Sequence, residues 1–127
     1  MGLVSKILQL TKISEEGIDW LCKNLEEFRF KKNEIILKEG QICRYLYFIN
    51  SGMTAGYTQS EEIEICNWIS HEGDFATSYY SFISQRASHE TIICLETCEM
   101  EAISYSKLQQ LFLLFPETER AGRLILQ

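Results

Sequence analysis

The residues whose types and spacing could bind a small ligand are concentrated between Gly73 and Glu90. This segment places an acidic residue after a glycine, continues with a short amphipathic stretch, and ends with an arginine among small polar residues. An arginine guanidinium and the backbone N–H groups at the start of a helix both favour anions. The pattern therefore indicates a helical insert that holds an anion, and we expect any small-molecule site of this chain to lie here.

The candidate ligand-binding residues all belong to this insert. They are Gly73, Asp74, Phe75, Tyr79, Arg86, Ser88 and His89. Several of them have a purely structural alternative. Asp74 could cap the short helix, and Tyr79, with the aromatic residues beside it, could pin that helix to the rest of the fold. Arg86 could be a solvated residue or could form an ion pair with Glu90.

Catalytic and metal-binding motifs are missing from the sequence. Its two histidines, His71 and His89, do not have the His-x-His spacing that metal-binding β-rolls use. There is no Gly-x-Ser-x-Gly sequence, no Walker loop and no cysteine paired locally with a histidine. We therefore predict no catalytic residue, no metal site and no enzymatic activity.

The composition is that of an ordinary globular domain. The chain has 127 residues, of which 46% are hydrophobic and 24% are charged, so one domain with a sizeable core is expected. Its net charge of −6 opposes non-specific attraction to DNA or to anionic lipid. No apolar run is long enough to cross a bilayer, and no signal peptide is present. We expect a cytoplasmic protein without a membrane partner.

The five cysteines do not form a metal or redox motif. Their number is odd and no two are spaced as Cys-x-x-Cys. Four of them fall in or beside apolar runs, which favours buried free thiols over metal or redox chemistry.

Helical spacing at the start of the chain gives way to a period of two. Ser14 is a plausible N-cap for an amphipathic helix over residues 15–27. From Phe28 onwards, short strands alternate with turns about every ten residues, which is typical of a sandwich, barrel or β-roll. The predicted strands cover residues 28–30, 34–38, 44–50, 53–58, 63–69, 91–95 and 98–104.

Two helices are predicted after the last strand. The first covers residues 105–115 and is capped by Ser104, and the second begins at Pro116, the only proline. The second helix presents an apolar surface at its end, formed by Leu124, Ile125 and Leu126. Such a helix usually continues or packs against a partner. We therefore expect either a longer protein or a helix that pairs across a dimer.

Three segments in this order resemble the effector domain of the catabolite-activator and Fnr (Crp/Fnr) superfamily. They are Ile-Leu-Lys-Glu-Gly at 36–40, Tyr-Phe-Ile-Asn-Ser-Gly at 47–52 and Ile-Ser-Tyr at 103–105. The resemblance extends over residues 15–127. It implies a mainly β fold with flanking helices: a double-stranded β-helix or jelly roll (β-roll) with an N-terminal helix, a short helical insert and C-terminal helices.

The same resemblance implies a domain organisation and partners. Residues 1–115 would form the cyclic-nucleotide-binding-like β-roll, and residues 116–127 would begin a long dimerisation helix. In this superfamily the roll binds an effector, usually a cyclic nucleotide, and a helix-turn-helix domain after the long helix reads DNA. The chain would thus be the effector-sensing half of a homodimeric transcription regulator, whose DNA-binding domain would follow Gln127.

The phosphate cassette of the nucleotide-binding members runs Gly-Glu, a short helix, then Arg-x-Ala or Arg-x-Ser. Gly73 and Asp74 are assigned to the Gly-Glu pair, with an acid that is one methylene shorter. Counting back from residues 103–105 places Arg-x-Ala on residues 88–90, so Arg86 lies two positions early and Glu90 would repel an anion. These departures favour an effector other than ordinary cyclic AMP. The alternative is a ligand-free interaction or dimerisation module with a degenerate pocket.

Overall fold

Two four-stranded antiparallel sheets form the centre of the molecule, which a computed structural model describes over residues 2–126. One sheet has the strand order β1-β8-β3-β6 and the other β2-β7-β4-β5. The elements in chain order are α1 (Gly2–Leu10), α2 (Glu15–Asn24), β1 (Glu26–Phe30), β2 (Ile35–Leu37), β3 (Tyr45–Ser51), β4 (Met53–Ser60), β5 (Ile63–His71), β6 (Phe75–Ala76), α3 (Tyr79–Ser84), β7 (Thr91–Cys94), β8 (Cys98–Ser104), α4 (Tyr105–Leu114), a 3-10 turn (Pro116–Thr118) and α5 (Glu119–Ile125). The predicted β-roll with flanking helices is confirmed.

Strand β3 is buried on both faces, which explains its nearly continuous apolar sequence. Leu46 and Phe48 belong to a core cluster that includes residues of α1, α2 and α4. Tyr47 and Ile49, whose side chains alternate with these, belong to a second cluster that includes strands of both sheets. The sheet containing β3 therefore lies between the helices on one side and the second sheet on the other.

Both predicted helix caps are present. The Ser14 hydroxyl oxygen accepts a hydrogen bond from the Gly17 N–H at 3.1 Å, and the Ser104 hydroxyl oxygen accepts one from the Lys107 N–H at 3.1 Å. Helix α2 ends at Asn24, before the predicted limit of 27, because β1 begins at Glu26 and pairs with β8.

Two elements were not predicted from the sequence. Helix α1 buries Leu3, Val4 and Ile7, and an isolated helix of its length is marginal in water, so its stability depends on this packing. Strand β6 lies within the insert that we expected to be helical, and it pairs with β3. Phe75 and Ala76, near the start of the insert, are therefore strand residues and not helical ones.

The end of the chain differs from the predicted single helix. Pro116 begins a 3-10 turn, and α5 begins only at Glu119. Ile125 and Leu126 pack against the core cluster that contains the helices, whereas Leu124 is 48% exposed. The expectation that all three form a free apolar surface is therefore wrong for two of them. Met1 and Gln127, which delimit the predicted domains, lie outside the described residues.

The sequence places four cysteines in or beside apolar runs, and three cysteines are buried in the structure. All five cysteines are free, and Cys43, Cys94 and Cys98 are buried while Cys22 and Cys66 are exposed. None of the helices within residues 2–126 is long and apolar enough to span a membrane.

Candidate functional site

Helix α3 and its two flanking segments form the insert, and internal hydrogen bonds hold it in place. The Ser81 hydroxyl oxygen accepts from the Cys43 N–H at 2.8 Å and donates to the Arg86 carbonyl at 2.5 Å. Gln85 ends the helix in a left-handed conformation, with φ of 54°, and its side-chain amide donates to the Cys43 carbonyl at 2.9 Å. The position of α3 is thus tied to the chain just before β3.

Gly73 and Asp74 form the turn that precedes β6. Gly73 has a φ of +88°, a conformation that glycine adopts without strain. One carboxylate oxygen of Asp74 accepts from the His71 N–H at 2.8 Å, so this side chain closes the turn between β5 and β6. Asp74 does not cap the short helix, because the N-cap of α3 is Ser78, four positions later.

The aromatic candidates have different environments. Phe75 packs edge-on against Phe48, with ring centroids 5.2 Å apart. Tyr79 is 40% exposed. Partial burial and, second, the Asp74 carboxylate raise the pKa of its hydroxyl. The residue that pins α3 to the fold is Phe82, which is 1% exposed and packs edge-on against Tyr105 of α4.

Arg86 and His89 lie on the surface of the insert. Arg86 is exposed, and the ion pairs found within residues 2–126 are Lys23–Asp19 and Arg123–Glu119. The predicted alternative of an ion pair with Glu90 is therefore wrong. The His89 ring stacks on Tyr80, with centroids 4.5 Å apart and planes 22° apart.

Ser88 is the buried polar centre of the insert. It is 2% exposed, and its hydroxyl donates to the Glu90 carbonyl at 2.7 Å and accepts from the Glu90 N–H at 3.0 Å. The oxygens of Ser88 and Ser78 are 3.1 Å apart. Because a hydroxyl has one proton and that of Ser88 is directed to Glu90, Ser78 is the donor in this pair.

Glu90 is bound by neutral donors from the neighbouring hairpin. The indole N–H of Trp68 donates to its Oε1 at 2.9 Å, and the Asn67 amide donates to its Oε2 at 3.3 Å. The carboxylate thus connects the exit of the insert to β5.

The structure brings together residues that the sequence prediction did not combine. Ser78 and Ser88 are in direct contact, Ser88 contacts Glu90, and Glu90 contacts Trp68. Ser78 and Trp68 were absent from the candidate residues. The signal for Ser78 was its position directly before the amphipathic stretch, where an N-cap belongs.

The chemistry of this cluster is neutral or acidic. Hydroxyl groups and one carboxylate can exchange hydrogen bonds with a ligand, but no guanidinium lies among them to balance a phosphate. Within the described part of the chain, no group of three or more His, Cys, Asp or Glu side chains could hold a metal ion.

Comparison with known proteins identifies the same segment as part of a binding domain. A family model described as "Cyclic nucleotide-binding domain" matches residues 27–113, which is more than half of the chain. None of the curated proteins matches the sequence.

Three solved structures illustrate the similarity of fold. The catabolite activator protein of Thermus thermophilus is 15% identical, with a TM-score of 0.76 over 89% of this chain and 53% of its own. The sensor domain of the transcriptional regulator DNR from Pseudomonas aeruginosa is 14% identical, with a TM-score of 0.77 over 94% of this chain and 77% of its own. The c-di-GMP-responsive global regulator CLP of Xanthomonas campestris is 21% identical, with a TM-score of 0.69 over 87% of this chain and 54% of its own. The chain thus spans about half the length of the Thermus protein.

Proposed function

Because this chain belongs to the cyclic nucleotide-binding domain family, we propose that it is the effector-sensing domain of a Crp/Fnr-type transcription regulator. Its effector is a small molecule other than an ordinary cyclic nucleotide. The domain works as a homodimer through the helical segment that starts at Pro116, and it controls DNA through a C-terminal domain that is not part of this sequence. The similarity of fold to the catabolite activator and to DNR supports the regulator class.

The hydrogen bond between Ser78 and Ser88 carries the proposal about the effector. In the cassette that the sequence resembles, the acid directly precedes the short helix and the arginine follows it. In the structure, the residue directly before α3 is Ser78, and counting back from residues 103–105 places the arginine position on Ser88. We therefore assign the positions of the charged pair to these two serines. Asp74, which the sequence comparison assigned to the acidic position, belongs to the preceding turn.

The charges around this pair support the same conclusion. An arginine–phosphate pair supplies two parallel charge-assisted hydrogen bonds, which a serine hydroxyl cannot replace. The carboxylate that is hydrogen-bonded into this cluster is that of Glu90, and its negative charge repels an anion. Arg86 is exposed, and the helix that precedes it ends in the left-handed residue Gln85. Members of this fold also serve other signals, since CLP responds to c-di-GMP.

The path from effector to output runs through α3. Phe82 of α3 is buried and contacts Tyr105, the first residue of α4, at a centroid distance of 5.6 Å. Helix α4 in turn packs on α5, where Phe112 lies so close to Gly122 that an added Cβ would be 2.4 Å from the ring. An effector that shifts α3 would therefore bias the position of α4 and α5.

Isothermal titration of the chain with cyclic AMP and with cyclic GMP tests the proposed exclusion of ordinary cyclic nucleotides. We expect no heat of binding at ligand concentrations of about 1 mM, because both charged contacts of the cassette are replaced. A saturable signal with one site per chain would contradict the proposal. Sequencing of the coding region downstream tests the regulator class, and a helix-turn-helix there is the expected result.

The second candidate function is a ligand-free interaction module. It is favoured by the internal hydrogen bonding of Ser78, Ser88 and Glu90, which leaves the insert satisfied without a guest. Native mass spectrometry separates the two functions. A co-purifying small molecule supports a sensor, and a mass equal to the bare chain or its dimer supports the module.

A further inference from the structure

Trp68 is the residue of β5 that reaches the interior of the roll. Most residues of this edge strand are exposed, including Ile63, Ile65 and Ile69. The Trp68 ring packs against both core clusters. It lies flat enough on β4 that a Cβ added to Gly56 would be 2.4 Å from its Nε1 and Cε2 atoms. Glycine at position 56 is thus what makes room for the indole.

The polar edge of this indole is directed to a carboxylate. Its N–H donates to Glu90 at 2.9 Å, and the second carboxylate oxygen of Glu90 accepts from Asn67. The Asn67 amide also donates to the Thr58 hydroxyl at 2.5 Å. Every donor that the structure places on Glu90 is neutral, so this half-buried acid is built to accept N–H groups.

A second polar group on the same face has no partner. Thr54 is fully buried, and its hydroxyl is the one buried side-chain polar atom within residues 2–126 that lacks a hydrogen bond. Thr54 and Gly56 are two positions apart on β4, so they face the same side of the sheet. Their partners on β7, Cys94 and Ile92, are fully buried, which identifies this side as the inner face.

A buried hydroxyl without a hydrogen-bond partner is unfavourable, and such groups in native structures call for a specific explanation. The indole N–H donates to Glu90, so Trp68 supplies no hydrogen bond to Thr54. A guest that replaced the indole and carried one additional polar atom would satisfy Thr54 as well as Glu90. The Trp68 side chain therefore pairs with only one of the two polar groups, Glu90, and leaves Thr54 without a partner.

We propose that Thr54, Gly56 and Glu90 form a ligand site that the chain's own Trp68 indole occupies in this structure. The effector is a planar, neutral heterocycle with an N–H donor, which displaces the indole, donates to Glu90 and gives Thr54 a hydrogen-bond partner. This inference rests on the proposed sensing function and names the class of its effector. A ligand of this kind converts a minor open conformation into the dominant one.

The indole that fills the site also supplies the probe. In a Trp68→Gly variant, free indole should bind with one site per chain and a dissociation constant below about 1 mM, measured by isothermal titration. 1-Methylindole has the same ring but no N–H, and we expect it to bind at least about tenfold more weakly, because it cannot donate a hydrogen bond to the charged Glu90 carboxylate. The wild-type chain should give no heat with indole at the same concentrations, because free indole has no second polar atom for Thr54 and so offers nothing beyond the resident Trp68 side chain.

Two control variants isolate the cause. Trp68→Leu keeps apolar volume at the position and should bind neither probe. Adding Glu90→Leu to Trp68→Gly should reduce indole affinity to that of 1-methylindole. Equal affinity for the two probes, or no binding of indole to Trp68→Gly, would overturn the proposal.

If the Trp68→Gly variant is unfolded in the absence of indole, its refolding by the two probes is measured instead. In that case, recovery of the folded circular dichroism spectrum in saturating indole, with weaker recovery in 1-methylindole, supports the site, and no recovery overturns it. The outcome is separable from that of the cyclic nucleotide titration. Cyclic AMP binding to the wild-type chain contradicts the proposed function whatever indole does, whereas failure of indole alone removes only this inference.

Discussion

At the scale of single residues, the chemistry of the insert is set by which partner each polar group finds. We propose that Ser88 takes the position of the cassette arginine, and the structure shows that its hydroxyl bonds with Ser78 and Glu90. Glu90 in turn is used by Trp68 and Asn67. The polar groups of this cluster are thus paired with one another, and burial strengthens such hydrogen bonds because it excludes competing water.

Cys94 gives a prediction about pH. Burial, followed by the neighbouring Cys98 thiol and the Glu34 carboxylate, raises the pKa of the Cys94 thiol from 9.0 to about 12. The folded state therefore holds one more proton than the unfolded state between these values. Its contribution to the free energy of unfolding is complete below the unfolded pKa and is lost as the pH rises toward the folded one.

Urea unfolding over a pH range of about 8 to 11 measures this effect. We expect the unfolding free energy of Cys94→Ala to decline less steeply with pH than that of the wild-type chain. The difference in slope should correspond to at most about one proton bound per molecule. Cys22→Ala, which removes an exposed thiol, is the matched control and should leave the slope unchanged. Identical slopes for Cys94→Ala and the wild-type chain would show that Cys94 ionises normally in the fold.

At the scale of elements, the ends of helices and strands follow from short-range hydrogen bonding. Ser104 ends β8 in an extended conformation and caps α4 with its side chain. Ser78 has the same position before α3, but its side chain makes no capping bond and is directed to Ser88 instead. Two serines in equivalent local sequence positions thus differ because only one has a buried partner.

The cap of α4 is testable by a single substitution. Ser104→Ala should lower the free energy of unfolding by about 1 kcal/mol, because the Lys107 N–H loses its acceptor. Ser106→Ala is the same change at an exposed position of the same helix, and it should stay within about 0.5 kcal/mol of the wild-type chain. Chemical denaturation measures both, and equal effects would mean that the cap contributes nothing.

At the scale of the whole molecule, the proposed dimer depends on the apolar groups that the C-terminal helices leave uncovered. Leu113, Leu114 and Leu124 are 82%, 57% and 48% exposed. They lie on α4 and α5. The insert is connected to these helices by the buried contact of Phe82 with Tyr105, the first residue of α4. A partner on this face would therefore be coupled to the occupancy of the insert.

Sedimentation velocity tests this surface. We expect the chain to dimerise and Leu124→Asp to weaken the dimer by at least about tenfold, because a buried carboxylate would have to lose its water. Ile63→Asp changes a residue of the β4–β5 hairpin that is 66% exposed, and it should leave the dimer intact. A wild-type chain that stays monomeric at all concentrations would contradict the proposed assembly.

Elements that are specified by short-range signals could be predicted from the sequence. The period of two fixed most of the strands, Ser14 and Ser104 marked two helix starts, and the order of segments indicated the β-roll. These signals are predictive because helix caps and the alternation of strand residues depend on residues only a few positions apart.

Contacts between groups that are distant in the chain could not be predicted in this way. Two of these contacts are hydrogen bonds between residues that are distant in sequence, namely Ser78 with Ser88 and the Trp68 indole with Glu90. Two others involve elements that are too short to be stable alone, namely the pairing of β6 with β3 and the docking of α1. Such contacts depend on burial, which removes water as a competing partner, and burial exists only once the two sheets and the helices have packed together.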